Sequence, residues 1–152
     1  MLASWTELQL KYVNRRRDLI NDSELRASSQ QFLGEFRRAL QHGTMKDLIS
    51  TAWDPVRSHL GEVSRRRAEQ GFSPAETATF ILSLKQPLFA RIQAAYADDA
   101  VGLAAEAWLV TTVIDELALF TIDVYQKSRE AIILRQQQEM MELSTPVVSL
   151  WE

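Results

Sequence analysis

The sequence predicts an all-α fold, a helical bundle whose last helix runs on past the body. Three observations carry this. Residues 98–143 hold no proline and one glycine, Gly102, so nothing there strongly punctuates a helix. Elsewhere apolar residues recur at spacings of three and four between capping signals. No strand pattern occurs before Pro146. Continuous helix over 98–143 measures about 65 Å at ~1.5 Å per residue, far longer than a domain of this size is wide.

Leu2–Val13 reads as a short helix with Trp5, Leu8 and Tyr12 on one stripe. Arg15, Arg16 and Arg17 suit a solvated helix end, where cations meet the negative pole of the dipole, or else a phosphate patch. Asp22 or Ser23 is expected to cap the next helix, with Leu25, Ser29, Phe32, Leu33, Phe36 and Leu40 on its inner face. Gly43 should end it in the left-handed conformation. A smaller element with Met45, Leu48, Ile49 and Trp53 follows. Asp54-Pro55 then opens a helix with Pro55 first, a buried stripe of Val56, Leu60 and Val63, and an end at Gly71.

Ser73-Pro74-Ala75-Glu76 is the clearest local signal. Ser73 caps and Glu76 reaches back, with Phe72 before them as a staple. That helix runs to Tyr96 and should kink at Pro87. Asp98 or Asp99 caps the long helix. Its first part is apolar from Leu103 to Val124, and from Gln126 to Glu142 it is polar and charged. Val113, Leu117, Phe120, Val124, Lys127, Ala131, Leu134, Gln138 and Met141 form a heptad seam with two polar interruptions. The first half should lie in a core, and the second should project and pair with a second copy, since a lone polar helix is marginal in water. Ser144-Thr145-Pro146 should break the helix. Residues 147–151 then read as a first strand, the edge of a second domain.

The chain of 152 residues is 46% hydrophobic and 24% charged, ordinary for one globular domain. A net charge of −3 gives no global pull toward nucleic acid or an anionic membrane. No cysteine is present, which removes disulfides and thiol chemistry. No signal peptide or membrane-length apolar run is seen, so a cytoplasmic location is expected.

Catalytic patterns are sparse. His42 sits beside a helix-ending glycine, and His59 near the Val56–Leu60 stripe reads as a hydrogen-bonded core residue or, less simply, a ligand. No HExxH, phosphate-cradling loop or GxSxG occurs, and the neighbours Asp115 and Glu116 point to different sides of a helix. No enzyme activity, cofactor or metal site is expected. Arg65, Arg66 and Arg67, with Arg57 nearby, cover most of a helix circumference and make no clean groove-reading face. Lys85 and Gln86 lie on an exposed side or line a pocket opened by the kink.

Two stretches carry a resemblance. QGFSPAETATFILSLKQ, residues 70–86, resembles the mid-domain helix of the RsbRD-type N-terminal domain of RsbR-like co-antagonist proteins in bacterial stressosomes. RQQQEMMELSTPVVSLWE, residues 135–152, resembles the linker helix and entry into the STAS domain of the same proteins. The resemblance implies a globin-like, dimeric input domain whose last helix continues as a coiled linker. It implies RsbS-like and RsbT-like partners reached through a STAS domain that controls a switch kinase. Phosphorylated threonines of such proteins lie beyond Glu152, so none is assigned here. Related globin-coupled sensors hold haem through a histidine that has no counterpart in residues 73–96, which implies a non-haem domain.

The expected layout is therefore an input domain over 1–125, a linker helix over 126–143 and the start of a STAS domain over 144–152. The dimer seam is expected at Leu117, Phe120, Val124, Ala131, Leu134 and Met141, and a signal pocket near the kink at Phe80, Leu84, Pro87, Trp108 and Ile114. Competing expectations are a haem- or small-ligand-binding sensor, a basic nucleic-acid binder, and a pure dimerisation module.

Overall fold

A computed structural model describes residues 1–13 and 20–151. Arg15, Arg16 and Arg17 lie outside the described residues. Within these, the chain forms six α-helices and one 3-10 turn, and no strand.

Helix α1 (Leu2–Val13) is held by Trp5, which is fully buried. Its indole N–H donates to Phe80 O at 3.2 Å and Ser83 Oγ at 3.0 Å. Helix α2 (Asp22–His42) is capped by Asn21, not by Asp22 or Ser23. Asn21 Oδ1 accepts from Glu24 N at 2.8 Å and from Ser23 Oγ at 3.0 Å, so the serine supports the cap instead of forming it. The inner stripe is Leu25, Ser29, Phe32, Phe36 and Ala39; Leu40 falls just off it and is exposed. Gly43 ends α2 with extended backbone at φ −123°, not left-handed. Glycine serves here by leaving room, since a Cβ would come within 2.8 Å of Ala52 Cβ and 3.2 Å of Trp53 Nε1.

The 3-10 turn Thr51–Trp53 buries Trp53, whose indole donates to Thr44 O at 3.1 Å, while Ile49 is exposed. Helix α3 (Asp54–Gln70) places Pro55 second, after Asp54, in the first turn where no N–H is missed. It ends at Gly71 with φ 87°, a conformation that favours glycine. Helix α4 (Pro74–Leu82) opens with both bonds of the Ser73–Glu76 capping box.

The helix expected over 73–96 is two helices, α4 and α5 (Lys85–Ala95). The break falls at Ser83 and Leu84, four and three residues before Pro87. Pro87 has no N–H for Ser83 O, and its ring would press on that carbonyl. Leu84 N turns to Ile81 O at 3.1 Å, which frees Phe80 O for Trp5 and for Ser83 Oγ. The break in one helix thus supplies the acceptor that anchors another.

Helix α6 (Ala100–Ser149) is capped by Asp99, whose Oδ1 accepts from Gly102 N at 2.9 Å. A Cβ on Gly102 would lie 2.2 Å from Asp99 Oδ2, so this glycine makes the cap possible and does not weaken the start. The helix runs through Pro146 to Ser149, which corrects the expected break and strand at 144–151. Proline deletes one donor, and Ser144 and Thr145 hydroxyls both donate to Met141 O on the exposed surface. Among the described residues no strand lies beside residues 147–149, and helix satisfies their backbone. At 50 residues α6 is about 75 Å long at ~1.5 Å per residue. Its first half packs on α3, α4 and α5 around Trp5, Phe32, Trp53, Leu60, Phe80 and Ile114.

Candidate functional site

One helix has two environments. In the body, Val113, Ile114, Leu117, Ala118, Thr121 and Tyr125 are buried. Ser64 Oγ donates to Thr121 O at 3.0 Å, the Tyr125 hydroxyl donates to Phe72 O, and Lys85 pairs with Asp115 at 2.5 Å. These bonds fix α6 to α3, to the turn before α4, and to α5. From Ile133 to Trp151 every residue is exposed.

The expected seam divides along the same line. Leu117 is 2% exposed inside its own chain's core, so it is unavailable to a second copy. Phe120 packs against that core, and Val124 is half-buried. Ala131, Leu134 and Met141 are exposed. The four-three spacing over 113–124 is therefore the inward face of α6. A second stripe at the same spacing lies on its outer side: Val101, Trp108, Leu119, Ile133, Met140 and Leu143, all exposed.

The expected pocket residues do not surround one space. Phe80, Leu84 and Ile114 are core, Pro87 is buried at the start of α5, and Trp108 is 72% exposed on the outer face of α6. A cleft of about 540 Å³ lies between α1 and α5, with Gln86 and Pro87 on one wall and Ser4 and Leu8 on the other.

A smaller cavity of about 180 Å³ joins α1, α2, α3 and α4. Leu25, Ala75 and Phe80 give it apolar walls, and Gln9, Arg67, Glu76 and Thr79 bring polar groups. Arg67 is 5% exposed, and its guanidinium lies 4.7 Å from the centre of the Phe72 ring. Burial lowers its pKa to about 10, against the pull of Glu76 and with the push of Arg66. Gln9 is 2% exposed; its amide N–H donates to Ser29 Oγ at 2.8 Å, and its Oε1 has no partner among the described residues. Sequence reading passed over Gln9 and saw Arg67 only as part of a basic run. The signal for Arg67 was its place on the Leu60–Ser64 stripe, three residues after Ser64.

A model of the RsbT co-antagonist protein rsbRD N-terminal domain matches residues 1–140. The chain belongs to the RsbRD N-terminal family. Comparison with curated proteins and with solved structures finds no match. The family match covers the whole helical body and the start of the exposed rod, and so agrees with the resemblance read at residues 70–86. Among the described residues no helix of this RsbRD domain is long and apolar enough to cross a membrane.

The buried histidine of the RsbRD body is already engaged. His59 Nε2 lies 3.1 Å from Ser28 Oγ, and Nδ1 lies 3.0 Å from Glu35 Oε2. Burial lowers its pKa, opposed by Glu35 and Glu62 and assisted by Arg66. An axial bond to a metal or haem iron would have to displace one of these contacts. The order Ser28–His59–Glu35 copies that of a serine hydrolase triad. Ser28 sits inside α2, however, where backbone N–H groups are bonded along the helix and not aimed together at an oxyanion. Among the described residues no group of three or more metal-binding side chains gathers.

Proposed function

We propose that this RsbRD domain is the regulatory input of a stressosome RsbR-like protein, without catalysis of its own. It dimerises and relays a signal through α6 to a STAS domain, which meets RsbS-like partners and controls an RsbT-like switch kinase. The observation that supports this reading is the unbroken course of α6 from Ala100 in the body to Ser149 in the exposed rod. A shift of α4 and α5 against the inner face of α6 moves the rod as one piece.

The dimer we place on the outer stripe of α6. Val101, Trp108 and Leu119 on the body and Ile133, Met140 and Leu143 on the rod form one line open to a second copy. Its polar members Thr112, Asp115, Gln126, Arg129 and Gln136 fix register more than they add stability, with Asp115 held by Lys85 of the same chain. The inner stripe offers no such line, because its first half is closed by the chain's own core.

The test is one alanine inserted after Arg135 in the protein carrying its STAS domain. It turns everything beyond by about 100° while leaving the body untouched. Changed capture of the kinase is expected, and unchanged capture would remove the relay. Light scattering at tens of micromolar should give a dimer. If it does so while the insertion has no effect, the pure dimerisation module is the better account.

A further inference from the structure

The cavity between α1, α2, α3 and α4 contains two buried polar groups that the described residues around it leave incompletely bonded. Arg67 is a buried cation, and among the described residues its guanidinium makes neither an ion pair nor a hydrogen bond; only the Phe72 ring covers one face. Glu76 attracts it from the same wall without standing at ion-pair distance, and a buried charge that is incompletely paired costs free energy. Gln9 Oε1 is a buried acceptor without a donor, since its amide N–H is committed to Ser29. Glu76 adds a carboxylate to the same wall while accepting from Ser73 N at 2.9 Å. A bare anion would meet Arg67 favourably and Glu76 unfavourably. A ligand with a negative end and a positive, hydrogen-bond-donating end meets both.

We propose that this cavity binds a small apolar α-amino acid. Its carboxylate lies on Arg67, its ammonium donates to Gln9 Oε1 on the side of Glu76, and its side chain rests among Leu25, Ala75 and Phe80. Size agrees. A cavity of about 150 Å³ holds benzene, and this one of about 180 Å³ suits a whole molecule slightly larger than that, of the valine or leucine size. The inference deepens the input-domain reading by naming a ligand, and rests on that reading only for its purpose. Binding is measured on this chain alone, so it succeeds or fails independently of any relay through α6.

The experiment is calorimetry and thermal shift on the chain with L-valine and L-leucine. The controls are isobutylamine, which lacks the carboxylate, and 2-hydroxy-3-methylbutanoate, which lacks the ammonium. Saturable binding of an amino acid is expected, with each control at least about tenfold weaker. Arg67→Met should lose binding by about tenfold or more with the helical spectrum retained. If Arg67→Met does not fold, Thr79→Met decides, because it fills the cavity from a half-buried wall and leaves Arg67 in place. It should abolish binding. No saturable binding up to millimolar ligand, which would mean a cavity holding water, overturns the proposal. So does binding that Thr79→Met leaves intact. Equal binding of the hydroxy acid overturns the amino-acid assignment.

Discussion

Residues 113–125 and 133–149 belong to one helix, carry similar apolar spacing, and are held by different things. The first stretch is sealed into its own chain by Leu117, Ile114 and the Tyr125 bond to Phe72 O. Every residue of the second is exposed. Periodicity says that a helix has an apolar side; it does not say whose surface covers that side. Where α3 and α4 supply the cover, the stripe is core. Beyond them the chain itself supplies no cover, and every side of the helix is exposed.

The largest contrast is expected from one substitution repeated in both regions. Leu117→Ala empties a fully packed site and should cost about 2–5 kcal/mol in the unfolding free energy. Leu134→Ala, on the exposed rod, should change it by no more than about 0.5 kcal/mol. Chemical denaturation followed by circular dichroism measures both. Equal costs would mean that the rod is folded back on a surface.

The next effect turns the contrast round. Ile133→Glu with Met140→Glu sets like charges along the outer stripe of paired rods. It should weaken the dimer by at least about tenfold, or about 1.4 kcal/mol, with no loss of body stability. Light scattering over a dilution series reads it. If the dimer survives these changes and is split by Ala131→Glu with Leu134→Glu, the original seam is correct in the rod.

How much was legible in the sequence follows from which forces are local. The capping box at Ser73 and Glu76, the helix end at Gly71 and the start of the long helix at Asp99 depend on neighbouring residues, and the structure has all three where the sequence predicts them. The helix break was placed at Pro87, although the clash that causes it acts one turn earlier, at Ser83. Gly43 reads from the sequence as a left-handed helix end and Gly102 as a weak interruption, whereas a Cβ on Gly43 would crowd Ala52 and Trp53 and one on Gly102 would crowd Asp99 and Tyr96. The Arg67–Gln9 cavity brings together residues from α3 and α1, and nothing local announces that meeting. Trp108 went astray for the same reason as Leu117: an apolar residue on a helix does not state which neighbour it faces.

A third test asks how firmly the body grips α6. Tyr125→Phe removes the donor to Phe72 O and keeps the ring. It deletes one buried hydrogen bond, at about 0.5–1.5 kcal/mol. Hydrogen exchange should then show faster opening of the α6 backbone around residue 125, with the rod amides unchanged. Matching acceleration in the rod would mean that the two halves open together, and the body and rod would count as one cooperative unit.

The smallest effect expected is proton-linked and belongs to the body alone. His59 has its pKa lowered in the fold because burial outweighs the pull of Glu35 and Glu62. In the unfolded chain it titrates near 6.5, so between 6.5 and the lower folded value the unfolded state binds more protons. Stability is then complete above about pH 6.5 and falls as pH drops toward the folded pKa. The carboxylates work against burial, which keeps the net slope shallow. Denaturation midpoints between about pH 5 and 7 should show it, ahead of ordinary carboxylate titration. His59→Gln should flatten the slope in this window. A slope unchanged in that variant would assign the proton to another group, while one of opposite sign would mean that Glu35 dominates and His59 is held charged in the folded body.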